Sequence, residues 1–130
     1  MTNTIRELMR RKSVRSYTGE AISPEVREAI LLAAAAAPTP GNQQMYTILD
    51  IRDRAKKAAL AELCDHQPFI ADSPLVLIFA ADYRKWYDAF LAAGCTPRAP
   101  EEGDLILAVS DACIAAQNAV TAAESLGIGS

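Results

Sequence analysis

Asp104-Leu-Ile-Leu-Ala-Val-Ser-Asp-Ala-Cys-Ile-Ala-Ala-Gln-Asn-Ala-Val-Thr-Ala-Ala-Glu-Ser-Leu126 decides the architecture of this chain. The stretch predicts one unbroken helix of about 23 residues, roughly 34 Å long at 1.5 Å per residue. It is apolar around most of its circumference, so it must be covered on several sides. Alanines at 108, 112, 115, 116, 119, 122 and 123 leave room for neighbouring backbones to approach closely.

The sequence on its N-terminal side has to supply that cover. Cys95 to Gly103, with Pro97 and Pro100, reads as loop, and a helix over about 83–93 precedes it, stopped by Gly94 in a left-handed conformation. Leu75 to Ala81 is an apolar run suited to a strand buried on both faces, and Tyr46 to Ile51 is a second strand, β-branched and aromatic. Between them Asp53 can cap a helix over about 54–63. Further upstream, Ser23, Pro24 and Glu25 form a helix entry, with Pro38-Thr-Pro-Gly as its stop after Ala37. A first helix over about 3–11 places Ile5, Leu8 and Met9 on one face, and Ser13 to Gly19 continues from it as an extended segment.

Two strands alone make a poor layer. The expected architecture is therefore α+β, a mixed sheet flanked by helices, with Asp104–Leu126 as the central helix of an obligate homodimer. Residues 1–130 are expected to form a single domain that is incomplete at its C-terminal end, the missing cover coming from further polypeptide or from a partner subunit.

Charge and composition remove several classes of function. Thirteen basic residues against sixteen acidic ones give a net charge of −3, with no cationic excess to hold a polyanion, so nucleic acid is not an expected partner. The unbroken apolar runs, such as Ala29 to Ala37, fall far short of the roughly 20 residues that cross a bilayer. Met1-Thr-Asn-Thr lacks an apolar signal core, and a cytoplasmic location away from the membrane is expected. Cys64, Cys95 and Cys113 are odd in number and lack a C-x-x-C pair, as befits free thiols in a reducing compartment.

Side-chain chemistry is sparse. His66 is the sole histidine, and Cys64-Asp65-His66-Gln67 is read as a polar loop, with neither a metal site nor a nucleophile and base. Gly127-x-Gly129 follows a helix and does not open one, so it is no dinucleotide fingerprint. Charge is concentrated instead near the start, where Arg6, Arg10, Arg11, Lys12 and Arg15 are opposed only by Glu7. Arg11, Lys12 and Ser13 can converge on one anion, with guanidinium supplying bidentate bonds. A solvated basic helix end, favoured by the helix dipole, accounts for the same pattern. Pro38-Thr39-Pro40-Gly41-Asn42-Gln43-Gln44 is a rigid turn rich in amides, which both donate and accept at the edge of a heteroaromatic ring. Pro, Gly and Asn also make ordinary turns.

Taken together and in order, Arg11-Lys12-Ser13-Val14-Arg15-Ser16-Tyr17, Ile22-Ser23-Pro24, Ala37 to Gln44, Ala71-Asp72-Ser73-Pro74, Asp111 to Asn118 and Ala122 to Gly129 resemble the FMN-dependent nitroreductase family. They look closest to its oxygen-insensitive nitroreductase and NAD(P)H-flavin oxidoreductase branch. The resemblance implies FMN as cofactor and NAD(P)H as co-substrate. It implies a homodimer, and flat aromatic acceptors such as nitroaromatics, quinones or flavins reduced in ping-pong order. It places Arg11, Lys12 and Ser13 at the flavin phosphate and ribityl chain, and Arg15 at the pyrimidine edge of the ring. Pro38, Thr39, Pro40 and Asn42 fall where the family borders the flavin from the neighbouring subunit, and Gln67 matches a flavin-contacting amide. No catalytic acid, base or nucleophile is implied. Pro40 stands where the family carries a small hydroxyl residue, and the family chain continues well beyond residue 130. A flavin-free binding or regulatory relative that keeps the dimer scaffold is the alternative.

Overall fold

A computed structural model describes residues 2–130. In chain order its elements are α1 (Asn3–Arg10), α2 (Pro24–Ala35), a 3-10 turn (Pro40–Asn42), β1 (Tyr46–Ile51), α3 (Arg54–Leu63), α4 (Pro68–Asp72), β2 (Val76–Ala81), α5 (Arg84–Ala92) and α6 (Glu102–Ser125). Helix starts follow local chemistry. Ser23 Oγ accepts from Val26 N at 3.3 Å, and Asp53 Oδ1 accepts from Lys56 N at 2.8 Å. The start of α6 is fixed by Asp104, whose carboxylate accepts from Glu101 N at 2.9 Å and is gripped by both terminal nitrogens of Arg98 at 2.7 and 2.8 Å. That grip, with the backbone bond, holds the Asp104 carboxyl below the usual carboxylate range.

The described residues contain one sheet, β1 paired with β2 in antiparallel register from Tyr46 opposite Ala81 to Ile51 opposite Val76. The sequence expectation was a mixed sheet. Apolar patterning identifies strands but not their direction, and a connection carrying two helices permits either. The five-residue α4 is not foreseen, because Pro68-Phe-Ile-Ala-Asp72 is too short to show a period.

α6 is the spine. One face carries Ala108, Asp111, Ala112, Ala115, Ala119 and Ala123, all buried. Ile30 and Ala34 of α2 pack with Ala119 and Ala123, joined by Ile48, Leu77 and Phe79 from the sheet. Ala37 and Tyr46 pack with Ala112 and Ala115 in a second cluster. The other face leaves Leu105, Ile106, Val109 and Ile114 exposed. This helix is long and apolar enough to cross a membrane, as core helices can also be, a property that unbroken runs conceal because Ser110, Asp111, Gln117 and Asn118 interrupt them. The all-round burial inferred from its composition is thus met on one side only.

The extended segment after α1 lies along the C-terminal residues. Val14 N donates to Ser130 O at 3.0 Å. A Cβ on Gly129 would sit 2.5 Å from Val14 Cγ2, so glycine is what lets the two segments touch.

Candidate functional site

Arg11 caps the C-terminal end of α1, and the chain turns extended there, so Arg11, Lys12 and Ser13 leave the helix as an exposed strap. Among the described residues, no hydrogen bond or ion pair engages the Arg11 or Lys12 side chain. The strap's backbone is nonetheless located, by the Val14–Ser130 bond and by Tyr17 Oη donating to Val14 O at 3.4 Å. Arg15 points to a different neighbour, its guanidinium carbon 5.7 Å from the centre of the Phe69 ring. Such stacking holds a cation in place while leaving its N–H edges available. Arg15, Phe69 and Asp72 line a polar recess of about 410 Å³ with Ser16 to Gly19.

Gln67 reaches this neighbourhood through a strained turn. Asp65 and His66 both take left-handed backbone angles, φ 63° and 52°, which non-glycine residues rarely adopt. His66 Nδ1 lies 2.7 Å from Glu62 Oε2, and Gln67 Nε2 donates to Cys64 O at 2.6 Å. Gln67 is the N-cap of α4, so the side chain stands two residues from the ring that carries Arg15. Gln67 itself does not line the recess beside Arg15.

The amide turn sits elsewhere. Pro40 starts the 3-10 turn, and Gly41, Asn42 and Gln44 take left-handed φ angles of 58°, 54° and 50°. Thr39 Oγ1 accepts from Gln44 N at 3.1 Å, Thr39 O accepts from Asn42 N at 3.0 Å, and Asn42 Oδ1 accepts from Gln44 Nε2 at 3.1 Å. Trp86 of α5 donates its indole N–H to Gln43 O at 2.6 Å. Pro38, Pro40 and Asn42 remain exposed. The recess beside Arg15 does not include them; Gln43 instead faces an aromatic recess of about 180 Å³ with Trp86, Tyr83, Tyr87 and Phe90.

Two residues outside the sequence-derived set shape these regions. Phe69 is the platform for Arg15, and nothing in a five-residue segment marks it beforehand. Asp111 is fully buried, and its Oδ2 accepts from Met45 N at 3.1 Å while Oδ1 accepts nothing. An unpaired buried acceptor costs about 1–3 kcal/mol. The available signal was the one charged side chain between Leu105 and Ala123. Beside it, burial and then the Asp111 charge push the Tyr46 hydroxyl above its ordinary range.

Comparison with known proteins sets this geometry in context. A family model described as the nitroreductase family matches residues 8–130. The chain is 33% identical to FMN reductase [NAD(P)H] of Bacillus subtilis (strain 168), over 99% of this chain and 53% of that protein. It is 35% identical to the oxygen-insensitive NADPH nitroreductase of Salmonella typhimurium, over 99% of this chain and 52% of that protein. The solved structure of B. megaterium NfrA2 superposes with a TM-score of 0.94 at 35% identity, covering 99% of this chain and 53% of that one. The NADPH:FMN oxidoreductase from Vibrio harveyi complexed with NAD+ does so with 0.91 at 28%, covering 98% and 54%. The chain spans about half the length of the curated relatives it matches. With the family model covering nearly all of its length, and the same fold in solved relatives, the chain belongs to the nitroreductase family.

Proposed function

We propose that this chain is the flavin-holding part of an FMN-dependent oxidoreductase, which takes hydride from NAD(P)H and passes electrons in ping-pong order to nitroaromatics, quinones or flavins. The observation that carries the proposal is the pair Arg11 and Lys12, two exposed cations without a side-chain partner among the described residues, on a strap whose backbone is fixed. Side chains so placed suit a phosphate better than they suit the fold, since the fold uses neither charge.

The donor set fits a phosphorylated isoalloxazine. Arg11, Lys12 and the Ser13 hydroxyl would hold the phosphate and ribityl chain through charge-assisted bonds. Arg15, steadied over Phe69, contributes a fixed positive charge for the pyrimidine edge, where gain of electrons places negative charge. Gln67, two residues before Phe69 in sequence, is the amide that the family resemblance adds to this set. Pro38, Thr39, Pro40 and Asn42 form a rigid border for the flavin of a second copy, in keeping with their separation from Arg15 in one chain. FMN, when bound by these residues, would supply the two-electron chemistry.

A homodimer is part of the proposal. The apolar row Leu105, Ile106, Val109 and Ile114 on α6 is the surface a second copy would cover. The relatives named as FMN and NADPH reductases support the redox assignment, and flat acceptors suit a slot in which donor and acceptor take turns. A cytoplasmic location agrees with the three free, exposed thiols.

Titrating the purified protein with FMN tests the proposal. Quenching of flavin fluorescence, co-elution of flavin with protein, and bleaching of the bound flavin by NADPH under nitrogen are the expected results. Flavin that elutes apart from folded protein, with its fluorescence unaltered, would favour the flavin-free relative instead.

A further inference from the structure

We propose that Asp111 is a positioning residue for the amide turn: from the middle of α6 its carboxylate sets the direction in which Asn42 to Gln44 are presented. The proposal rests on the flavin-border role given to that turn above. Met45 is the joint between turn and β1, 4% exposed, and its N–H has one acceptor, Asp111 Oδ2, 66 residues away in sequence. Immediately before it the chain takes left-handed angles at Gly41, Asn42 and Gln44, so a small rotation at the joint swings the whole turn. Tyr46 N, on the other side, donates to Gln44 O at 2.7 Å, which closes the joint into a tight loop.

A residue placed there for packing alone would be apolar, because the surrounding cluster is alanine and tyrosine. A carboxylate with Oδ1 unpaired is poor packing but a good long-range acceptor. Because Asp111 belongs to α6, the turn is referenced to the most extensively packed helix of the molecule, the same helix whose outer face is assigned to the dimer. Its orientation then follows α6 and not the local loop.

The molecule carries its own reporter, since Trp86 is the sole tryptophan and its indole bonds Gln43 O at 2.6 Å. The experiment compares Asp111→Ala with Asp111→Asn in the full chain, by acrylamide quenching of Trp86 without flavin and by FMN titration. Asp111→Ala removes the acceptor: Trp86 quenching should rise at least twofold, and FMN affinity should fall tenfold or more. Asp111→Asn keeps a carbonyl for Met45 N, so Trp86 quenching should stay within about 1.5-fold and FMN affinity within threefold of wild type. A purely structural role would lower the melting temperature of both variants and leave Trp86 quenching and FMN affinity of the folded protein unchanged, which would overturn the proposal. Should Asp111→Ala fail to fold, Asp111→Leu, a near-isostere that offers no acceptor, takes its place: a folded Leu variant with wild-type Trp86 quenching and FMN affinity overturns the proposal, and one that releases Trp86 and loses FMN supports it. If the wild type holds no FMN, the flavin proposal falls, while the Trp86 readout continues to decide on Asp111.

Discussion

The strap Arg11–Tyr17 and the turn Pro38–Gln44 are held in opposite ways. The turn is wired by side-chain bonds, those of Thr39 and Asn42 from within it and those of Trp86 and Asp111 from α5 and α6. The strap is located by the Val14–Ser130 backbone bond, by Val14 against Gly129, by Tyr17 and by Arg15 over Phe69, while its cationic ends at Arg11 and Lys12 have no side-chain partner among the described residues. A rigid amide border recognises by shape, and pre-organisation lowers the entropy lost on binding. Uncommitted cations recognise by charge, and their free energy is realised only when an anion arrives. Substitutions in the strap should therefore strike ligand affinity with little effect on folding, whereas those in the turn should strike folding first.

The largest expected effect comes from Arg11→Ala combined with Lys12→Ala. Charge-assisted bonds contribute about 1.5–3 kcal/mol each, so FMN affinity should drop by about two to four orders of magnitude while the urea midpoint barely moves. Fluorescence titration at low and high salt measures the first, and denaturation without flavin the second; a comparable loss of stability would break the contrast between the two regions.

Asn42→Ala comes next. It places alanine at a φ of 54° and deletes the acceptor of Gln44 Nε2. Strain of roughly 1–2 kcal/mol for a left-handed alanine should appear directly in urea unfolding of the flavin-free protein. An unchanged unfolding curve would show that the turn is not self-held.

The smallest effect concerns the tie between the frames of the two regions. Arg27 of α2, the helix after the strap, donates to both oxygens of Asp50 on β1, the strand after the turn, at 2.5 and 2.7 Å. Burial pushes the Asp50 carboxyl up, but bonds from Arg52 and Arg27 outweigh it and hold the group below its ordinary range. A carboxyl lowered by folding stabilises the fold above its unfolded pKa, and that contribution is lost as pH falls through the folded value. Arg27→Met should thus cost about 0.5–1 kcal/mol at pH 7, and the gap from wild type should close once pH drops below the usual carboxylate range near 4. A gap that persisted at pH 2 would assign the loss to Arg27 packing.

Much of the fold was legible because its signals are local. Ser23 and Asp53 announce helix starts that the structure confirms by their cap bonds, and the runs at 46–51 and 75–81 became the strands Tyr46–Ile51 and Val76–Ala81. The strap and the turn were visible as a charge cluster and an amide-rich Pro/Gly segment. Phe69 beneath Arg15, the Trp86–Gln43 bond and Asp111 against Met45 were not, because each joins residues 43 to 66 positions apart or, for Phe69, across a separate helix.

The sequence by itself determined where helices begin, which segments are apolar, where positive charge accumulates and where the chain must turn, since propensity, capping and net charge act over a few residues. Only the tertiary structure decided strand direction, which face of α6 is buried, and that the strap and the turn stand apart within one chain. Those outcomes depend on which distant surfaces exclude water together, and on which buried N–H finds an acceptor.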